Sequence, residues 1–299
     1  MTSSERSFLA LGPHGFHRVA YREWGDPTNP RVVVCVHGLT RNSHDFDVLA
    51  GALRGQWRVV CPDLPGRGAS EWLPQPALYD FPIYLGAMAA LLARLGGETV
   101  DWIGTSLGGL IGLALAAQPN TPVRRLVLND VGPFVPGAGL GRLQRAMAVP
   151  PPTFGSLAEA ERWFRVAMAT FGPIEDAHWR KIAEHGVRRD PDGRLTLHFD
   201  PVIVASFLAS PAQDIVLWPL WDRLECPVLV IRGAESDLLS ADTVAEMRRR
   251  GAACDELVVP STGHAPMLMS ADEVAEVAAW LGKEIPDRGT LAAVRPPVP

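Results

Sequence analysis

Apolar residues form continuous runs in the first part of the chain and recur at helical spacing further on. Unbroken apolar runs are typical of strands in a sheet that is covered on both faces. The expected strands are Phe8–Leu11, His17–Trp24, Arg31–Val36, Trp57–Cys61, Val100–Ile103, Arg125–Asn129, Pro227–Arg232 and Glu256–Val259. The expected helices are Ile83–Leu95, Leu107–Gln118, Ala241–Arg250 and Ala271–Leu281. The alternation predicts an α/β fold with a doubly wound, mainly parallel sheet.

Residues 133–220 interrupt this alternation. The helix-like segments of the interruption are Leu140–Ala148, Leu157–Phe171, Asp176–Val187 and Pro201–Leu208. We interpret the stretch as a helical cap inserted between two strands of the sheet; the alternative is a second independent domain. The expected organisation is a core of residues 1–132 and 221–285, a cap or lid over 133–220, and a loosely ordered C-terminal tail over 286–299.

Composition excludes several classes of protein. The chain has 299 residues, of which 47% are hydrophobic and 20% are charged, as in ordinary soluble globular proteins. The longest strongly apolar run, Leu110–Ala117, is too short to cross a bilayer, so we expect no membrane association. A net charge of −5 provides no basic stripe, which argues against nucleic-acid binding.

The cysteines and the N-terminus indicate a cytoplasmic protein. The four cysteines are too far apart for a CxxC or zinc pattern, and we expect them to be buried thiols; they are Cys35, Cys61, Cys226 and Cys254. The first residues do not resemble a signal peptide. We expect no cofactor and no bound metal, since the sequence contains no Walker loop, no early G-x-G-x-x-G and no cluster of metal ligands.

The strongest chemical signal is the G-x-S-x-G motif of residues 104–108. It follows the expected strand Val100–Ile103 and opens the expected helix Leu107–Gln118. Such a strand-to-helix turn presents its serine clear of the sheet at a helix N-terminus. Ser106 is therefore the candidate nucleophile. The structural alternative is a glycine-rich turn in which Ser106 is only a helix cap.

A nucleophilic serine needs a base, and the base needs an orienting acid. His264 follows the expected strand Glu256–Val259 and should emerge at the carboxyl edge of the sheet, where sites lie in open α/β sheets. Asp237 is the favoured acid, because it follows the strand Pro227–Arg232. Asp130 and Glu235 are the rivals.

Acyl transfer also requires donors for a developing oxyanion, usually two backbone N–H groups. We expect them from Leu107, which follows the nucleophile, and from Leu39 in the loop after the strand Arg31–Val36. His37, which precedes this loop, is interpreted as a residue that organises it. The glycine- and proline-rich turn over 63–70 is interpreted as architecture.

These motifs resemble the α/β-hydrolase family in their order and spacing. The resemblance rests on His37-Gly38, Asp63-x-Pro65-Gly66-x-Gly68-x-Ser70, Gly104-x-Ser106-x-Gly108, Asp237 and Gly263-His264, and it covers roughly residues 8–285. It implies serine attack on a carbonyl, an acyl-serine intermediate, hydrolysis by water that the histidine activates, and a lid over the pocket. A serine nucleophile argues against epoxide or halide chemistry. An HGLT loop in place of HGGG makes esters of tertiary alcohols less expected.

The favoured substrate is a small or medium carboxylic ester. The expected pocket residues are Thr40, Phe134, Trp163 and Phe171, and a substrate carboxylate could pair with Arg41, Arg142, Arg145 or Arg165. The alternative reactions are C–C bond hydrolysis of ring-cleavage products, enol-lactone hydrolysis, and hydrolysis of oligoesters from storage polymers. A non-catalytic ligand-binding relative is the alternative from another class.

Overall fold

A computed structural model describes residues 3–96, 99–250 and 252–285 of the chain. Gly97, Gly251 and the tail 286–299 lie outside the described residues.

The core is one eight-stranded sheet in the order β1-β2-β4-β3-β5-β6-β12-β13. Its strands are β1 Ser4–Gly12, β2 Gly15–Trp24, β3 Val32–Val36, β4 Arg58–Pro62, β5 Val100–Thr105, β6 Val123–Asn129, β12 Val228–Gly233 and β13 Cys254–Val259. The first two strands form an antiparallel hairpin, and β2 joins β4 antiparallel. The remaining neighbours are parallel. The predicted α/β fold with a mainly parallel, doubly wound sheet is confirmed.

Helices cover both faces of this sheet because its central strands are apolar on both faces. The helices of the core are α1 Asp47–Leu53, α2 Phe81–Leu95, α3 Leu107–Ala116, α8 Trp218–Trp221, α9 Ala241–Arg249 and α10 Ala271–Gly282, with short 3-10 helices at Ser43–Phe46 and Pro76–Leu78. One buried cluster places Trp102 of β5 among residues of α2, α3 and α9. A second cluster on the other face joins α1 and α10 around Trp57 and Trp280. The short helices α1 and α8 have no counterpart in the sequence expectations.

Residues 134–217, between β6 and α8, form their own layer of helices and short strands. The helices are α4 Gly137–Met147, α5 Leu157–Ala167, α6 Asp176–Gly186 and α7 Pro201–Ala209; the strands are β7 Phe134–Val135, β8 Thr153–Phe154, β9 Val187–Arg189, β10 Leu195–Leu197 and β11 Ile215–Val216. A third apolar cluster, which includes Phe164 and Trp179, lies mostly within this segment and also contains Met267 from the loop after β13. The sequence suggested the four helices but not the strands, which are too short to show alternation.

None of the helices in the described ranges combines the length and apolarity needed to span a bilayer. No disulfide joins the four cysteines, all of which lie in described parts of the chain. Cys35, Cys61 and Cys226 are buried as expected, whereas Cys254 is partly exposed.

Candidate active site

Ser106 occupies the turn between β5 and α3 with a left-handed backbone, at φ 52°. A side chain in this conformation is strained, and the glycines on either side relieve crowding that would otherwise add to the strain. A Cβ on Gly104 would lie 2.2 Å from the carbonyl oxygen of Gly108, and a Cβ on Gly108 would lie 2.0 Å from that of Val36. The G-x-S-x-G spacing is therefore required by backbone contacts.

His264 lies in the loop after β13 and contacts Ser106. Its Nε2 is 3.0 Å from Ser106 Oγ, and the ring is buried at the bottom of the site. This loop is hydrogen-bonded to the segment 133–220, since the N–H of Gly263 donates to the carbonyl of Thr170 at 2.6 Å. This is the position that the sequence predicted for the base.

Asp130, at the end of β6, is the carboxylate that meets this histidine. His264 Nδ1 donates to Asp130 Oδ2 at 2.8 Å, which leaves Nε2 free to accept from the serine hydroxyl. Asp130 also accepts from the N–H of Gly233 at 2.8 Å and from Ser236 Oγ at 2.6 Å. The residue is fully buried. Three hydrogen bonds thus satisfy the oxygens of this buried carboxylate.

The expectation that Asp237 orients the histidine is wrong in this structure. Asp237 lies past the end of β12 and forms a two-point salt bridge with Arg142 of α4. Its side chain is 41% exposed. Partial burial opposes ionisation, but the hydrogen bonds and charge of Arg142 lower the pKa of this carboxyl. Glu235, the third candidate, is exposed.

The sequence contained a signal for Asp130: an aspartate directly after a buried strand. The importance of this aspartate depends on the order of strands in the sheet. Strand β6 is hydrogen-bonded to β5, which carries the serine, and also to β12. The carboxylate therefore emerges between the nucleophile and the histidine loop. The position of Asp237 after the strand Pro227–Arg232 favours it in the sequence, but this position contains no information on strand adjacency.

The loop after β3 lies beside Ser106, since a Cβ on Gly38 would be 3.6 Å from Ser106 Cβ. His37 is fully buried beneath this loop. Its Nε2 accepts from the N–H of Leu64 at 3.0 Å, and its Nδ1 donates to the carbonyl of Gly38 at 2.7 Å. These bonds confirm that His37 organises the loop. Burial, with the charges of Arg67 and Arg41, lowers its pKa to about 3.

Asp63 and Ser70 fix the turn over 63–70, as the architectural interpretation expected. The N–H groups of Ser43 and Ala69 donate to the Asp63 carboxylate at 2.7 and 2.9 Å. Ser70 Oγ donates to the carbonyl of Asp63 at 2.6 Å.

Arg67, within the same turn, is a residue whose importance the sequence did not indicate. It is fully buried and bonds to neutral oxygens. Nε donates to the carbonyl of Leu39 at 2.8 Å, and Nη1 donates to the Pro65 carbonyl and the Tyr84 hydroxyl. The Tyr84 ring lies 4.9 Å from the guanidinium. Arg67 thus fixes the carbonyl of Leu39.

A cavity of about 470 Å³ opens between the insertion and the core and reaches His264. Thr40, Trp163 and Phe171 are among its lining residues, as expected. Phe134 is not; it lies in β7, paired with Val216.

The four arginines considered for a substrate carboxylate occupy different places. Arg41 and Arg142 line the cavity, where each already pairs with an aspartate. Arg145 is exposed, and Arg165 pairs with Glu161 and Asp176.

Comparison with known proteins agrees with the geometry. A family model described as the alpha/beta hydrolase family matches residues 33–277, and the chain belongs to this family. Because the chain belongs to this family, the protein is a hydrolase. It is 44% identical over 273 residues to the 3-hydroxybutyrate-oligomer hydrolase of Cupriavidus necator, across 89% of this chain and 93% of that protein.

More distant relatives share the same fold. An esterase of Mycobacterium tuberculosis is 29% identical over 236 residues, which cover 76% of this chain and 73% of that protein. The crystal structure of an alpha/beta hydrolase from Novosphingobium aromaticivorans superposes with a TM-score of 0.82 and 35% identity, across 94% of this chain and 99% of that one.

The buried neutral His37 predicts a loss of stability in acid. An unfolded histidine titrates near pKa 6.5, and the folded pKa is about 3. Between these values the unfolded chain binds the extra proton, so the free energy of unfolding falls as the pH is lowered, by about 2 kcal/mol from pH 7 to 5. Urea unfolding at both pH values measures this. His37→Asn should remove that part of the loss, and His14→Gln, in the exposed β1–β2 turn, should not. Equal losses in His37→Asn and the unmutated protein would contradict the assignment.

Proposed function

We propose that the protein hydrolyses carboxylic esters through an acyl-serine intermediate, with Ser106 as nucleophile, His264 as base and Asp130 as orienting acid. The observation that carries the proposal is the continuous hydrogen-bond chain from Ser106 Oγ through the imidazole to the buried Asp130 carboxylate, at 3.0 and 2.8 Å. This arrangement satisfies the geometric requirement for an activated serine.

In the proposed reaction, Ser106 Oγ attacks the ester carbonyl while His264 Nε2 accepts its proton. The tetrahedral intermediate collapses, the C–O bond to the alcohol breaks, and Nε2 returns the proton to the departing alkoxide. Water then attacks the acyl-serine, again giving a proton to Nε2. The second tetrahedral intermediate collapses, the bond between Ser106 Oγ and the acyl carbon breaks, and Nε2 returns the proton to Oγ as the acid leaves. Asp130 keeps its charge throughout and stabilises the imidazolium.

The oxyanion donors in this proposal are the backbone N–H groups of Leu39 and Leu107. Leu107 begins α3, so its N–H has no acceptor within the helix and lies at the positive end of the helix dipole. The Leu39 N–H belongs to the Gly38–Leu39 peptide, whose carbonyl accepts from His37 Nδ1, and Arg67 bonds the next carbonyl along the chain, that of Leu39. A fixed donor stabilises transition-state charge without reorganising.

We infer that the substrates are short oligomers of 3-hydroxybutyrate. The inference rests on the Cupriavidus necator relative and on the character of the cavity. The cavity has a volume typical of pockets for small organic ligands, and its lining includes Leu143, Met147 and Trp163. Such a surface suits the methyl-bearing backbone of an oligoester. In this proposal the segment 133–220 acts as a lid, and Arg41 or Arg142 receives the terminal carboxylate.

Replacement of each candidate acid by asparagine tests the mechanism. Asp130→Asn should lower kcat by roughly 10⁴-fold, because the amide no longer stabilises the imidazolium or its tautomer. Asp237→Asn should keep kcat within about tenfold of the original value, because it removes a partly exposed salt bridge. Initial rates on p-nitrophenyl butyrate measure both. The reverse ranking would overturn the role of Asp130.

A substrate series tests the assignment of oligomers. The protein should release 3-hydroxybutyrate from its dimer and trimer, and Ser106→Ala should not. Methyl 3-hydroxybutyrate should give a kcat/KM about tenfold lower, because it lacks the second unit that contacts the cavity. Chromatography of the free acid provides the rates. Hydrolysis of simple esters alone would refute the oligomer assignment, and failure with every ester would refute the proposed reaction.

The role of Arg67 is tested by Arg67→Met, with Arg125→Met as the matched control. Arg125 is also a buried arginine, but it lies near the start of β6, away from the end that Asp130 follows. Its side chain donates to the Leu281 carbonyl. Arg67→Met should lower kcat by about tenfold or more with little change in KM, because the oxyanion develops only in the transition state. Thermal unfolding reports the stability of each variant. Equal kcat in both variants would show that Arg67 is only structural.

A further inference from the structure

Three side chains that commonly bind metals meet at the junction of the core and the segment 133–220. His44 belongs to the 3-10 helix Ser43–Phe46, Asp47 begins α1, and His185 lies in the last turn of α6. One potential ligand atom of each lies within 4.8 Å of those of the other two. We propose that these side chains bind one divalent transition-metal ion, of the zinc, copper or nickel type.

The donors have the chemistry that such ions prefer. Two imidazole nitrogens and one carboxylate oxygen form a common ligand set for zinc, and imidazole also suits copper and nickel. The His44 and Asp47 side chains are 22% and 23% exposed, so an ion can reach them from solvent.

Metal binding requires side-chain rotations that bring the donors to bonding distance. The two imidazole rings are stacked, with centroids 3.4 Å apart and planes 6° apart. His44 Nδ1 is 2.9 Å from Asp47 Oδ2. Ligands at about 2 Å from a tetrahedral ion lie roughly 3.3 Å from each other. The two rings must therefore rotate out of their stacked arrangement until their lone pairs converge on the ion.

A small cavity beside these side chains has room for a single ion. They line this cavity, whose volume of about 20 Å³ is enough for one water-sized occupant. With three protein ligands, a water molecule would complete a tetrahedral set.

Arg22 is the group that an incoming ion must displace. Its Nη1 contacts Asp47 Oδ1 and lies 2.6 Å from His44 Nδ1. The guanidinium therefore neutralises the carboxylate that the ion would use. This competition lowers the expected affinity and gives the proposal a distinctive test, because removal of the arginine charge should strengthen metal binding.

A bound ion would join the insertion to the core beside the large cavity. Two ligands come from the core and one from α6. Asn42 already links these parts, since its Nδ2 donates to the His185 carbonyl at 2.9 Å. Arg41, Asn42 and Gly186 line both the small and the large cavity. The ion would therefore restrict movement of the insertion at the wall of the large cavity.

Isothermal titration of the full, metal-free chain with ZnCl₂ tests the proposal. We expect one ion per chain, with Kd raised at least about tenfold in His44→Ala and in His185→Ala. His14→Ala, which removes an exposed histidine in the β1–β2 turn, should leave Kd unchanged. Arg22→Gln should lower Kd. Circular dichroism and thermal unfolding show whether each variant is folded.

Copper EPR provides a second measurement, which identifies the donor atoms of the bound ion rather than its affinity. The unmutated protein with one equivalent of Cu²⁺ should show nitrogen couplings from two imidazoles, and folded His185→Ala should show one fewer. No saturable zinc binding would overturn the proposal. So would zinc binding that is unchanged in both ligand variants, or copper couplings that are unchanged in His185→Ala.

Discussion

The contact between the backbones of β3, β5 and α3 is the constraint on which the site depends. Gly108 lies so close to the Val36 carbonyl that a methyl group would overlap it, and Gly104 meets Gly108 in the same way. This contact holds Ser106 in a left-handed conformation that costs roughly 1–3 kcal/mol. The surrounding sheet offsets that cost. It also brings the loop after β3, with Leu39, to the side of the serine.

The order of strands determines which acid reaches His264. Asp130 directly follows β6, the neighbour of β5, and accepts hydrogen bonds from the end of β12 and from the loop after it. Asp237 comes later in that loop and turns toward α4, where Arg142 neutralises it. Two aspartates that both follow strands therefore have different environments. One is buried with hydrogen bonds aimed at it, and the other joins the insertion to the core at the surface.

Two buried polar side chains support the loop after β3. His37 remains neutral, because protonation would direct a second N–H at the N–H of Leu64. Arg67 directs its charge at carbonyl and hydroxyl oxygens. Such groups are costly to bury unless they are well bonded, and here the bonds restrain the peptide beside Ser106. The turn over 63–70 thus supports the site although it does not line the large cavity.

The sequence by itself predicted the α/β sheet, the helices of the segment 133–220, the serine turn and the histidine loop. Each of these depends on local patterns: apolar runs, helical spacing, and glycines that permit one backbone conformation. Only the tertiary structure selected Asp130, revealed the support from Arg67, excluded Phe134 from the large cavity and brought His44 and Asp47 to His185. These relations join residues far apart in the chain, and they follow from strand adjacency and packing, which local sequence patterns do not encode.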